Sequence, residues 1–387
     1  MTLRIRDRRI LEDTSWQIEK GTHWVVVGPN GSGKTTLLRS LTGNTPVVAG
    51  KIRHAGGARP RVSYVGPELY RLYLQDDARR EVIWSPVTSG YPVTTPKSIA
   101  EKRGADPELA AYFFRGLNVE HLVSRGIRTL STGEMQKVLL AAAAAAKPDV
   151  LILDEPFDGL DVASVAWFRE SLAHLDQLGV TLILASHRRD ELAGPFKRAL
   201  MLEGGRVVRI GSVTDAIDHV EAHGTKATSQ PASFRSAPDP VEGAEVLVDF
   251  AGVTVGYNGS VVLDRLNWQV REGENWCVAG PNGSGKTTIL NLICGDNLQA
   301  YANNIRLFGR RRGSGESIWD IKQHIGYVST ALQWEYRVSI SLLNVIVSGF
   351  YDSIGIYQKP SSSEKAVARQ WLAVLGMESR ANEPFNK

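Results

Sequence analysis

The nine residues GPNGSGKTT occur twice in this 387-residue chain, at 28–36 and again at 280–288. The identity extends beyond them. WQIEKGTHWVVVGPNGSGKTTLLRSLTGN (16–44) aligns without gaps on WQVREGENWCVAGPNGSGKTTILNLICGD (268–296), at a constant offset of 252. A repeat of this length means one domain written twice, so a single fold has to account for both halves. In each copy the motif G-x-x-x-x-G-K-T follows an apolar strand-like run and opens a helical pattern, which is the context a P-loop requires. The glycines Gly28, Gly31 and Gly33, and Gly280, Gly283 and Gly285, let the backbone curl so that successive N–H groups point inward. The helix N-terminus adds partial positive charge, and phosphates are the expected ligand. Lys34 and Lys286 are placed to reach β- and γ-phosphates, and the hydroxyls of Thr35 and Thr287 to hold Mg²⁺. Asn30 and Thr36, with Asn282 and Thr288, complete the two nucleotide-binding sets.

Around these loops, short β-branched runs (HWVVVG, VLILDEP, TLILAS) alternate with helical segments opening at Lys34, Ser131 and Ala163. That alternation predicts an α/β fold with a mostly parallel sheet covered on both faces. With 43% apolar residues the chain can fill two cores. A charged fraction of 22% and a net charge of only +4 argue against disorder and do not call for a nucleic-acid partner. The Arg310–Arg312 run precedes a helical segment and reads as a solvated loop. Trp16 and Trp24, repeated as Trp268 and Trp276, alternate with the strand and read as core. Cys277 and Cys294 read as buried free thiols in a reducing compartment. No apolar run approaches the roughly 18 residues of a membrane span, and no signal peptide precedes the first repeat. The expectation is a cytoplasmic protein without direct membrane insertion. Residues 222–245, rich in Pro, Ser, Ala and Thr, read as a linker. The alanine run 141–147 continues a helix.

VLILDEPFDGLD (150–161) places Asp154 at the C-terminal end of a buried strand, where ligands of open sheets bind. An acid there can coordinate Mg²⁺, and the next residue, Glu155, can polarise a water for in-line attack on a γ-phosphate. LILASH puts His187 at the end of another strand, within reach of the same phosphate. In LSTGEMQKV (130–138), Ser131 and Gly133 stand at a helix start, a second built-in anion site.

Together these pieces resemble the ATP-binding cassette (ABC) ATPases, whose signature reads Leu-Ser-Gly-Gly-Gln. This chain has Thr132 for the first glycine and Glu134 for the glutamine. The resemblance implies tandem P-loop NTPase domains, each with a mostly parallel sheet and a helical subdomain, that bind and hydrolyse ATP with Mg²⁺. It implies catalytic roles for Glu155 and His187, and a D-loop role for Asp161. Ser131, Gly133 and Glu134 would act in trans, closing over nucleotide held by a second cassette. It also puts Tyr257 where the family stacks an aromatic on adenine; the first copy has Ile5 there. The family's glutamine at the contact with membrane subunits is replaced by Pro67 and Thr330. LFGRRRGSGESIWDIKQHIGYVS and YRVSISLLNVIVSGFYDSIGIYQ are similar to the ModF type of tandem ABC ATPase, a branch associated with molybdate transport. Membrane transporter subunits, with a peripheral place at the inner membrane face, follow from that branch. A soluble, non-transport tandem ABC protein is the alternative.

The second copy reads as unfinished. LGMESRANEPFNK (375–387) occupies the place of LNVEHLVSRGIRT (117–129), which leads into the first signature, and a second acidic pair would fall near position 406. The expected organisation is a first cassette over 1–221 without its first strand, a linker over 222–245, and a second cassette over 246–387 ending before its signature. A complete site then needs a partner cassette, from a second copy of the chain or from a further C-terminal half. A lone chain is expected to hydrolyse ATP weakly.

Overall fold

The computed structural model describes residues 1–5, 8–43, 45, 47–54, 57, 59–67, 69, 106–122, 130–223, 243–257, 259–329, 332, 336 and 338–385. Thr330 and most of the expected linker lie outside the described residues. Contacts divide the chain into two compact units, one of Met1–Ser233 and Pro281–Gly283, the other of Phe234–Gly280 and Ser284–Lys387.

The first unit runs β1 (Thr2–Ile5), β2 (Arg8–Leu11), β3 (Trp24–Val27), α1 (Lys34–Thr42), β4 (Val47–Ala49), β5 (Val62–Val65), α2 (Pro107–Gly116), α3 (Thr132–Ala145), β6 (Val150–Asp154), α4 (Val162–Gln177), β7 (Thr181–Ala185), β8 (Arg198–Glu203), β9 (Arg206–Ser212) and α5 (Val213–His223). Its main sheet has the order β5-β6-β7-β3-β8-β9, with only the β8–β9 pair antiparallel. A small antiparallel sheet, β2-β1-β4, accompanies it. β3, β6 and β7 read as continuous apolar runs because both sheet faces are covered; Val25, Val26, Leu151, Ile152, Ile183 and Leu184 are fully buried.

Local chemistry sets the helix starts. Asp161 caps α4 by accepting from Ser164 N at 2.8 Å, so the helix opens at Val162 rather than Ala163. Ser131 and Glu134 form a capping box at the start of α3. Asp106 caps α2, with Pro107 at the first helical position. The alanine run lets α3 pack closely, and all but one of Ala141–Ala145 are buried. Phe113 of α2, with no exposed surface, meets Trp167 edge-on at 5.7 Å and Phe168 at 6.4 Å, joining the helical subdomain to α4.

The second unit runs β10 (Val246–Tyr257), β11 (Ser260–Arg271), α6 (Lys286–Cys294), β12 (Asn304–Leu307), β13 (Arg310–Arg311), α7 (Ile318–Lys322), α8 (Leu342–Ser348) and α9 (Ser362–Val374). Its sheet, β11-β10-β12-β13, is antiparallel throughout. The segment repeating β3 belongs to no strand among the described residues. Two expectations change with it. Trp276 is 56% exposed where Trp24 is 4%, and Cys277 is exposed while Cys294 is buried. In the first unit β7 and β8 flank β3, and among the described residues between 246 and 385 no strand takes their place. The arginine run also divides. Arg310 and Arg311 are exposed, but Arg312 is buried, its guanidinium 2.8 Å from Glu316 and over the Tyr301 ring at 4.8 Å.

Phe113→Ala should cost about 3–5 kcal/mol by leaving a cavity between α2 and α4. Urea unfolding followed by tryptophan fluorescence should show this as a lower midpoint of the first unit's transition.

Candidate functional site

The three central parallel strands end level. Val26 of β3 pairs with Ala185 of β7, which pairs with Asp154 of β6. The loop after β3, the acids at the end of β6 and the turn after β7 therefore meet at one edge of the sheet, where open α/β sheets bind ligands.

The loop after β3 is built by its glycines. Gly28 has φ 155°, and a Cβ there would lie 2.2 Å from the Leu202 carbonyl oxygen, so no side chain fits. Gly33, at φ 101°, serves as the N-cap of α1, leaving the first backbone N–H groups of the helix facing the loop. Inside, Lys34 is 7% exposed and donates from Nζ to Gly28 O at 2.7 Å and to Pro29 O at 3.4 Å. Glu155 Oε1 lies 4.0 Å from the same ammonium. Burial pulls the lysine below its ordinary pKa, opposed by the charges of Glu155 and Asp154.

Asp154 is 1% exposed. Its Oδ2 accepts from the Tyr64 hydroxyl at 2.9 Å, while Oδ1 is buried with no hydrogen-bond partner. Burial raises its carboxyl above the usual range, although hydrogen bonds from Thr35 and Tyr64 work the other way. Glu155 is left-handed at φ 50°, unusual for a side-chain-bearing residue and characteristic of positions the surroundings must hold. Its N–H donates to Ala185 O at 3.0 Å, and Oε1 is 3.0 Å from His187 Nδ1. Oε2 is buried without a partner. The structure thus brings Lys34, Thr35, Asp154, Glu155 and His187 together.

A hard divalent cation fits this donor set. A buried orphan carboxylate oxygen stands beside a threonine hydroxyl, and among the described residues no cluster of three or more potential metal ligands forms a closed cage. Mg²⁺ is commonly held in that way, by one or two protein oxygens with phosphate oxygens supplying more.

Sequence reasoning missed the groups that hold this cluster. Tyr64 sits in β5 and touches Asp154 only because β5 pairs with β6. Glu191, 2% exposed, accepts from Ser186 Oγ at 2.5 Å and lies 3.4 Å from Arg188 Nε, pinning the turn that carries His187. Burial raises its carboxyl, with Ser186 and Arg188 opposing. Ser131 Oγ accepts from Glu134 N at 3.3 Å, and Glu134 Oε2 accepts from Ser131 N at 2.8 Å, with Gly133 between them in the first turn of α3. Asp161 is bonded to Lys137 Nζ at 2.6 Å. Burial would raise its carboxyl, but the bonds from Lys137 and Ser164 outweigh that and hold it far below the usual range.

The second loop adopts the same geometry. Gly280, Gly283 and Gly285 have φ of 158°, 82° and 91°, and Lys286 Nζ donates to Gly280 O at 2.7 Å. Asn282 lies in the turn before α6, and Thr287 and Thr288 in its first turn. The surroundings differ, since Ser284 is exposed where Ser32 is buried and Leu290 is 41% exposed where Leu38 is fully buried. Tyr257, at the end of β10, is half-exposed and its hydroxyl accepts from Asn297 Nδ2 at 2.8 Å.

Fold and loop together define a P-loop NTPase. The chain belongs to the ABC transporter family, whose model matches residues 11–158 and 263–387. It is 38% identical over 398 aligned residues to the ABC transporter ATP-binding protein ModF of Escherichia coli (strain K12), covering all of this chain and 80% of that one. An uncharacterized ABC transporter ATP-binding protein of Schizosaccharomyces pombe is 25% identical, over 88% of this chain and 72% of its own. A second, of Saccharomyces cerevisiae, is 23% identical over 95% and 78%. These are ATP-binding, ATP-hydrolysing proteins as a family, which in general dimerise or work with membrane subunits. No helix among the described residues is long and apolar enough to cross a membrane.

The raised carboxyl of Asp154 has a stability consequence of definite sign. A group that binds its proton more tightly when folded loses stability as pH rises from the ordinary carboxylate range through its raised value. Asp154→Asn should therefore melt higher than the unsubstituted chain at neutral pH without nucleotide, and the gap should close in acid. Melting curves of both proteins across pH check this.

Proposed function

We propose that the first unit binds MgATP and hydrolyses its γ-phosphate. The observation that carries this reading is the meeting of Lys34, Asp154, Glu155 and His187 at the level ends of β3, β6 and β7. The chain's own residues divide the work. The N–H groups of Gly31, Gly33, Lys34, Thr35 and Thr36 cradle phosphate, and Lys34 supplies a buried cation now shared between carbonyls and Glu155. Thr35 and Asp154 hold Mg²⁺, which when bound neutralises charge on the phosphates. Glu155 accepts the proton of the attacking water through a carboxylate already fixed by His187, and His187 stands ready to contact the phosphate. Asp161 stations the segment after the acids.

Ser131, Gly133 and Glu134 at the start of α3 are proposed to close on nucleotide bound by a second cassette, as the family arrangement implies. The first unit alone carries P-loop, acids, histidine and signature, so two chains pairing first unit to first unit would form complete sites. In the second loop, Gly280, Asn282, Gly283, Gly285, Lys286, Thr287 and Thr288 are proposed to bind nucleotide, with Thr287 on Mg²⁺ and Tyr257 stacking on the base. The likeness to ModF supports a place in transport, beside membrane subunits at the inner membrane face, and its branch points to molybdate as cargo. Pro67, standing where the family's subunit-contacting glutamine would be, favours a second reading as a soluble tandem ABC protein without a membrane partner.

Glu155→Gln should retain ATP binding and lose about 10²–10⁴-fold in hydrolysis. Phosphate release measured per chain across protein concentration should rise with concentration in the unsubstituted protein if first units pair. A flat, unchanged rate in Glu155→Gln would remove Glu155 from the mechanism.

A further inference from the structure

The start of α3 is tied to the segment between β6 and α4 at two points, through Gln136 and Lys137, side chains to which the hydrolytic reading gives no role. Gln136 is 2% exposed, and its Nε2 donates to Pro156 O at 2.5 Å. Pro156 directly follows Glu155, whose left-handed backbone must be held from outside. Lys137 Nζ lies 2.6 Å from Asp161 Oδ2, with the two side chains only 9% and 15% exposed. Asp161 is in turn the cap of α4. Adjacent helical residues leave the axis about 100° apart, so these two bonds fix the rotation of α3 as well as its position. They clamp the six residues Pro156 to Asp161, directly after Glu155, at both ends from one helix.

Packing alone does not explain the choice of side chains. A buried lysine is costly unless paired, and an apolar residue would fill the same place between α3 and α4. Gln136 lies where α3 is buried on every side, and its amide N–H is spent on one carbonyl, the one after the proposed general base.

We infer that Gln136 and Lys137 are positioning residues of the hydrolytic site, coupling the anion-binding start of α3 to the carboxylate of Glu155. This rests on the reading of Glu155 as the group that polarises water. Neither residue touches the phosphate; each sets where Glu155 stands when α3 is engaged. Small misplacements of a catalytic group cost on the order of 10²-fold, so the effect should fall on turnover rather than on nucleotide affinity.

The test uses the full chain, with ATP hydrolysis measured against ATP concentration and binding of a fluorescent ATP analogue measured alongside. Lys137→Met and Gln136→Leu should each lower kcat about 10- to 100-fold, with KM and analogue affinity within about threefold. Lys137→Arg should restore most of the rate. Asp161→Asn keeps a helix cap but loses the charge, and should match Lys137→Met, with the double variant no worse than either alone. If Lys137→Met does not fold, the contrast between Lys137→Arg near the unsubstituted rate and a slowed Asp161→Asn carries the same test. Unchanged kcat in the Lys137, Gln136 and Asp161 variants, beside an inactive Glu155→Gln, would overturn this inference alone. So would a loss of analogue affinity parallel to the loss of rate, which is what a merely structural pair produces. An unchanged rate in Glu155→Gln would overturn the site reading and this inference with it.

Discussion

Everything in the first unit turns on one arrangement of buried charge. Lys34 and Asp154 are 7% and 1% exposed, and each would be costly to bury alone. Lys34 is made tolerable by the Gly28 carbonyl and by Glu155, and Asp154 by Tyr64 and Thr35. The compensation is incomplete, because Asp154 Oδ1 and Glu155 Oε2 keep no partner and the Asp154 carboxyl stays raised. Two buried carboxylates thus stand beside a buried ammonium, with two of their oxygens making no hydrogen bond to the protein. The parallel register of β3, β6 and β7 makes that possible, since it is what delivers all three side chains to one level.

The two identical loops separate what is local from what is not. Both hold their lysine on the carbonyl of the first glycine at 2.7 Å, and both have the same three glycines at positive φ. Nine residues are enough for that. Burial of the cation is a different matter, because it comes from β6 and β7, more than a hundred residues further along in the first unit. The second loop has the same shape without these neighbours among the described residues, and its preceding segment, with Trp276 and Cys277, meets solvent.

That distinction explains what could be read in advance. Lys34, Asp154, Glu155 and His187 were legible because each sits at the end of an apolar run, and strand ends in a parallel sheet converge. The helix openings expected at Lys34, Ser131 and Ala163 lie within a residue of the observed starts of α1, α3 and α4 at Lys34, Thr132 and Val162. Tyr64, Glu191, Gln136 and Lys137 were not, since each acts across elements and nothing in its neighbours along the chain marks the partner. Trp276 and Cys277 were misjudged for the same reason in reverse. An apolar run shows what a segment prefers to bury, and only the pairing strands decide whether it does. Arg312 escaped as well, because its two neighbours in the run are exposed and only the partner Glu316, four residues on, marks it as buried.

The tie between α3 and the acid-bearing segment gives the site a direction of control. α3 begins with a capping box whose Glu134 carboxylate already occupies a backbone N–H of the helix start. A phosphate arriving there would meet a negative side chain as well as the favourable helix end. Engagement would then have to shift that carboxylate, and a shift at Ser131–Glu134 is carried within one turn to Gln136 and Lys137. From there it reaches Pro156 and Asp161 through two short, shielded hydrogen bonds rather than through soft packing. Because Glu155 sits in a backbone conformation that persists only under constraint, it is the residue most able to register such a shift. Binding at the helix start and placement of the proposed base become one event, which is the property a shared site between two cassettes would need.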